Sequence, residues 1–112
     1  MQKRSFTKED RLLTRASFIN LTGKGRKIQN SHFIAFYSPN HLDRSRLGIT
    51  VTRKVGSATS RNRIKRISRE YFRNNRNRIM GNWDINLVAK KEAACISSDK
   101  VRLSLQNLFD RL

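Results

Sequence analysis

Between residues 60 and 78, SRNRIKRISREYFRNNRNR, the apolar side chains fall at Ile64, Ile67, Tyr71 and Phe72. At ~100° per residue these spacings trace one stripe of an α-helix and fit no strand. The same segment holds eight basic side chains, seven of them Arg, against the single acid Glu70. A helical wheel sets Lys65, Arg66, Arg69, Arg73 and Arg76, together with Asn62, away from the apolar stripe. Such a helix can be buried along one face only. The rest of the chain must offer it one apolar surface and leave the basic side open.

Like charges one helical turn apart repel, so this ridge costs helix stability until a polyanion lies against it. An ordinary solvated face would have acids interspersed. The whole chain has 25 Lys and Arg against 8 Asp and Glu, a net charge of +17. That balance points first to nucleic acid and second to an anionic membrane surface. Arg outnumbers Lys sixteen to nine, and the planar guanidinium suits bidentate phosphate contact and stacking on bases. Membrane binding needs a free apolar face, whereas here the Ile/Tyr/Phe stripe is required for the core. No apolar run approaches the ~20 residues of a membrane span, and MQKRSFTKED lacks the apolar stretch of a signal peptide. A cytoplasmic protein without membrane contact is expected.

The 112 residues suit one domain spanning 1–112. KIQNSHFIAFYS and RLGITVTRKV are rich in β-branched and aromatic residues and read as strands, joined as a hairpin through residues 39 to 45 around Pro39. Residues 26 to 30 add a short strand before them. DINLVAK restores a strand after the turn signal MGNW. TRASFINLTGKG reads as a short amino-terminal helix with Phe18 and Leu21 on one side. Val101, Leu105, Leu108 and Leu112 mark a closing amphipathic helix. The fold class is α+β, a small two-layer α/β sandwich in the order α-β-β-β-α-β-α.

On RLGITVTRK one face holds Leu47, Ile49 and Val51, and the other Gly48, Thr50, Thr52 and Lys54. If FIAFY pairs beside it, either Ile34 and Phe36 or Phe33 and Tyr37 share the more open side. Aromatic, hydroxyl and cationic groups on one strand surface suit a single-stranded nucleic acid. The alternative is that the first helix covers this face with Phe18 and makes it a second core layer. No helix-turn-helix, zinc-finger or basic-zipper pattern occurs, which favours RNA over DNA. The acids are scattered, only Glu9 and Asp10 adjoining, so no carboxylate cluster for a two-metal nuclease stands out. His32 and His41 lie apart with no cysteine near them, and Cys95, the only cysteine, excludes an internal disulfide or a multi-cysteine zinc site. No catalytic residue, metal ligand or small-molecule substrate is expected on this chain.

TRKVGSATSRNRIKRISREYFR, residues 52 to 73, resembles the signature of the bacterial ribonuclease P protein component, with its Lys/Arg pair, Gly, RNR and KR before an aromatic. RLLTRASF, FIAF, RLGITV and DINLVAKK extend the similarity over nearly the whole chain. The resemblance implies a left-handed βαβ crossover through the long basic helix. It also implies a protein that assists a catalytic RNA, which removes the 5′ leader of precursor tRNA using Mg²⁺ held on the RNA. By family position, Arg53, Lys54, Arg61, Asn62, Arg63, Lys65, Arg66 and Arg69 engage the catalytic RNA. Phe18, Ile34, Phe36, Thr52 and Lys54 line the cleft for the single-stranded leader. Some relatives have a second aromatic one helical turn after Phe18, where this chain has Thr22. The alternative class is a structural RNA-binding protein, such as a ribosomal or RNA-chaperone module. A free-standing nuclease conflicts with the scattered acids.

Overall fold

The computed structural model describes residue 23 and residues 25 to 112. The expected amino-terminal helix, with Phe18 and Thr22, lies outside the described residues. The elements run in the order β1 (Arg26–Gln29), β2 (Phe33–Pro39), β3 (Arg46–Thr50), α1 (Ala58–Asn75), a 3₁₀ turn (Arg76–Arg78), β4 (Trp83–Ala89), a second 3₁₀ turn (Lys91–Cys95) and α2 (Ser98–Phe109). The α+β class and the expected order from the first strand onward are found.

The four strands form one sheet in the order β1-β2-β4-β3. β2 and β3 are therefore not the hairpin expected through residues 39 to 45. β4 lies between them, antiparallel to β2 from Phe33↔Ala89 to Pro39↔Trp83 and parallel to β3 through Leu47↔Ile85 and Ile49↔Leu87. Parallel neighbours need a long crossover, and α1 provides it between β3 and β4. Burial explains the choice of central strand. Ile85, Asn86, Leu87 and Ala89 of β4 are all buried, as suits a strand paired on both edges, while β3 takes the outer position.

β3 is also shorter than expected, ending at Thr50. The chain then turns over residues 52 to 55, with the Val55 amide donating to the Thr52 carbonyl at 3.0 Å. Val51 and Val55 still reach the core, but Thr52 and Lys54 leave the sheet and stand exposed on the turn. α1 begins where Ser57 Oγ accepts from the Ser60 amide at 3.2 Å, a side-chain cap for one of the helix's unpaired donors. Its end is marked by Asn75, whose Nδ2 donates to the Tyr71 carbonyl at 2.9 Å. The return to β4 passes Gly81 at φ +88°, a left-handed conformation that glycine adopts without steric cost.

One face of the sheet carries Phe33, Ala35, Leu47, Ile85, Leu87 and Ala89 to the helices, where Ile64, Ile67 and Phe72 of α1 and Val101, Leu105 and Leu108 of α2 complete the core. Each large apolar side chain buried there contributes roughly 1.5–3 kcal/mol. Tyr71 stacks on Phe109 with ring centroids 5.6 Å apart, which fixes the two helices side by side. α2 has its own serine cap, Ser97 Oγ accepting from the Lys100 amide at 3.3 Å.

Candidate nucleic-acid interface

Burying Ile64, Ile67 and Phe72 orients every other side chain of α1. Asn62, Arg66 and Arg69 are exposed, and Arg61, Lys65 and Arg73 half-buried along the same ridge. The Nε atoms of Arg61 and Arg73 are buried without a hydrogen-bond partner. Arg53 and Lys54, exposed on the turn before the helix, continue the basic surface past its amino terminus. Arg76 lies 5.8 Å from the centre of the Phe72 ring.

The one acid of α1 lies elsewhere. Glu70 and Asp99 line a cleft of about 480 Å³ between α1 and α2, with Tyr71, Asn74, Arg102 and Gln106. Asp99 pairs with Arg102 at 3.0 Å. Charge is thus segregated across α1, with its acidic residue on the flank toward α2 and its cations other than Arg63 away from that cleft.

Arg63 belongs to neither group. Its guanidinium donates to the Ile96 carbonyl at 3.2 Å, to Ser98 Oγ at 3.3 Å and to the Ala94 carbonyl at 3.5 Å. It ties the first turns of α1 to the connection leading into α2. The sequence groups Arg61 and Arg63 in one RNR motif, but two residues are ~200° apart on a helix, and the two side chains leave on different sides.

The second surface is the sheet face turned away from α1 and α2. Register places Lys27, Phe36, Asn86 and Gly48 in one row across the strands, and Gln29, Ile34, Val88 and Thr50 in the next. Of the two strand-face alternatives, the structure selects Ile34 and Phe36, both half-buried, because Phe33 and Ala35 fill the helix-side core. Thr52 and Lys54 lie beyond the end of β3, exposed on the turn, rather than on the strand.

Two features of this face were not anticipated from the sequence. Asp84 accepts a bidentate pair from Arg46, Nε at 2.8 Å and Nη2 at 2.7 Å, and a further bond from Asn40 Nδ2 at 2.9 Å. Burial pushes its carboxyl pKa up, but the hydrogen bonds from Arg46 and Asn40 and the charge of Arg46 outweigh that and hold it below the usual carboxylate value. Among the described strand residues Asp84 is the one acid on this face, and its charge, which would otherwise repel phosphate, is thereby neutralised. Thr50 Oγ1 also donates to Asn86 Oδ1 at 3.1 Å. The available sequence signals were the polar residues Asp84 and Asn86 within an otherwise apolar strand.

Among the described residues no group of three or more His, Cys, Asp or Glu side chains comes together to hold a metal ion, and no helix is long and apolar enough to cross a membrane.

Residues 6–112 match the family model described as Ribonuclease P. The chain belongs to the ribonuclease P protein family. The ribonuclease P protein component of Desulfatibacillum aliphaticivorans is 48% identical over 108 residues, covering 96% of this chain and 92% of that one. Solved structures agree. A mutant of the Staphylococcus aureus RNase P protein, described as defective in mRNA degradation activity, superposes with a TM-score of 0.87 at 31% identity, over 92% of this chain and 87% of that one. The RNase P protein of Thermotoga maritima gives 0.83 at 38% identity, over 91% and 96%. As a ribonuclease P protein component, the chain is a subunit of an endoribonuclease complex of tRNA processing, and its partner is an RNA within a ribonucleoprotein.

Proposed function

We propose that this subunit binds the catalytic RNA of ribonuclease P through the free side of α1 and the turn before it, and the single-stranded 5′ leader of precursor tRNA on the sheet face turned away from α1 and α2. The observation that carries the reading is the segregation of charge on α1, with Asn62, Arg66 and Arg69 exposed on the side away from the core and Glu70 turned toward α2. Arg53, Lys54, Arg61 and Lys65 extend the RNA-binding surface. Arg63 supports it by holding the amino-terminal half of α1 in place. Ile34 and Phe36 offer apolar and aromatic surface on which leader bases stack, and Thr52 and Lys54 meet its backbone.

In this reading the protein supplies no nucleophile and no metal ligand. Mg²⁺ on the RNA performs the phosphodiester hydrolysis, and the protein's cations replace part of the RNA's ionic atmosphere, so less Mg²⁺ is needed. The test is to incubate precursor tRNA at low Mg²⁺ with the protein, the catalytic RNA, or both. Leader removal only with both is expected. No added effect of the protein would point to a purely structural RNA-binding role, and cutting by the protein alone to a nuclease.

A further inference from the structure

Glu70, the single acid of α1, has a cation on either side of it in the helix. Arg66 precedes it by four residues and Arg73 follows it by three, spacings that bring side chains together on a helix surface. It pairs with neither. Among the described residues Asp43, Asp84 and Asp99 pair with Arg44, Arg46 and Arg102, whereas Glu70 enters no ion pair. Its half-buried side chain lines the cleft against α2 instead, beside the uncharged Asn74 and opposite Arg102. Arg102 is held only by Asp99, a pair exposed to water on both sides, and such pairs contribute little, so Arg102 remains attractive to a phosphate. The uncompensated carboxylate therefore stands between two basic surfaces. Without its charge, positive potential would run unbroken from Arg66 and Arg73 across Asn74 to Arg102.

We propose that Glu70 is a specificity-determining residue that confines RNA to the free side of α1, by repelling phosphates that would otherwise spread across the cleft onto α2. This rests on the free side of α1 being the RNA-binding surface. A chain with a net charge of +17 attracts any polyanion, and discrimination comes from penalising wrong placements as well as from favouring the right one. The other role open to a lone acid is to relieve repulsion within the basic ridge. That role would set the carboxylate against Arg66 or Arg73, and it lies against the cleft.

The experiment measures the affinity of the protein for the catalytic RNA and for an unrelated structured RNA of equal length, over a series of KCl concentrations. Glu70→Gln keeps the shape and removes the charge. At low salt it should bind the unrelated RNA about fivefold more tightly, the factor for one unit charge near contact distance in water, and the catalytic RNA within about twofold of wild type. The gain should fade toward 1 M KCl, where the screening length is about 3 Å. Glu92→Gln, which removes an exposed acid outside α1, should leave the discrimination between the two RNAs at its wild-type value. Glu70→Gln/Asn74→Asp, which returns the charge to the cleft one helical turn on, should recover it. Equal shifts on both RNAs, no shift on either, the same loss of discrimination in Glu92→Gln, or no recovery in the double variant overturns the proposal while leaving the α1 reading intact. If Arg66→Ala/Arg69→Ala binds the catalytic RNA with the wild-type salt dependence, the α1 reading falls and this inference with it.

Discussion

Arg46 and Asp84 face each other across the parallel pair β3 and β4 and close a two-pronged ion pair at 2.8 and 2.7 Å. Asp84 is thus held ionised by Arg46 and Asn40 against the opposing effect of burial. A carboxyl depressed in the folded state adds stability above its unfolded pKa of about 3.9, and that stability is lost as pH falls through the folded value. Thermal unfolding followed downward from pH 6 should show a steeper loss below about pH 4 in the wild type than in Asp84→Asn. Equal slopes would mean that the pair does not contribute.

Arg63 donates to the segment before α2 rather than to the open side of α1. For charge-assisted hydrogen bonds from a half-exposed guanidinium, Arg63→Ala should lower stability by about 1 kcal/mol, read as a shift in the urea midpoint. Its effect on the salt dependence of RNA binding should be close to nil, unlike that of its neighbours Arg66 and Arg69.

Phe36 lies half-buried on the sheet face turned away from α1 and α2, beside Asn86. A base stacked on an aromatic side chain contributes roughly 1–3 kcal/mol. Phe36→Ala should therefore weaken holoenzyme affinity for precursors with long leaders by about 5- to 150-fold and leave mature tRNA binding unchanged. Equal losses on both substrates would remove the leader from this face.

Local pattern carried most of the fold. The three- and four-residue spacing of Ile64, Ile67, Tyr71 and Phe72 settles α1 and its buried side, because one stripe of a helix is decided by nearest neighbours in sequence. Strand adjacency is not local. Phe33–Pro39 and Arg46–Thr50 are consecutive and invite a hairpin, yet burial on both faces of Trp83–Ala89 makes that strand the centre of the sheet. The apolar run INLVA held the clue, since a strand covered on both faces reads as a continuous run whereas a half-exposed one alternates. For the site, residue type located the cations but not their partners. Arg63 and Arg66 look equivalent as letters, and only the position of the segment Ala94 to Ser98 separates a tied guanidinium from an exposed one.

The central claim is that the free side of α1 meets the phosphates of the catalytic RNA. Its most direct test is the affinity of that RNA for the wild-type protein and for the Arg66→Ala/Arg69→Ala double variant, measured over a series of KCl concentrations. Each lost phosphate contact should reduce the slope of log K against log salt by about one, so the double variant should be shallower by about two. A variant of Lys100 and Arg102 on α2 should keep the wild-type slope. Parallel lines for the wild type and the Arg66/Arg69 double variant would contradict the account.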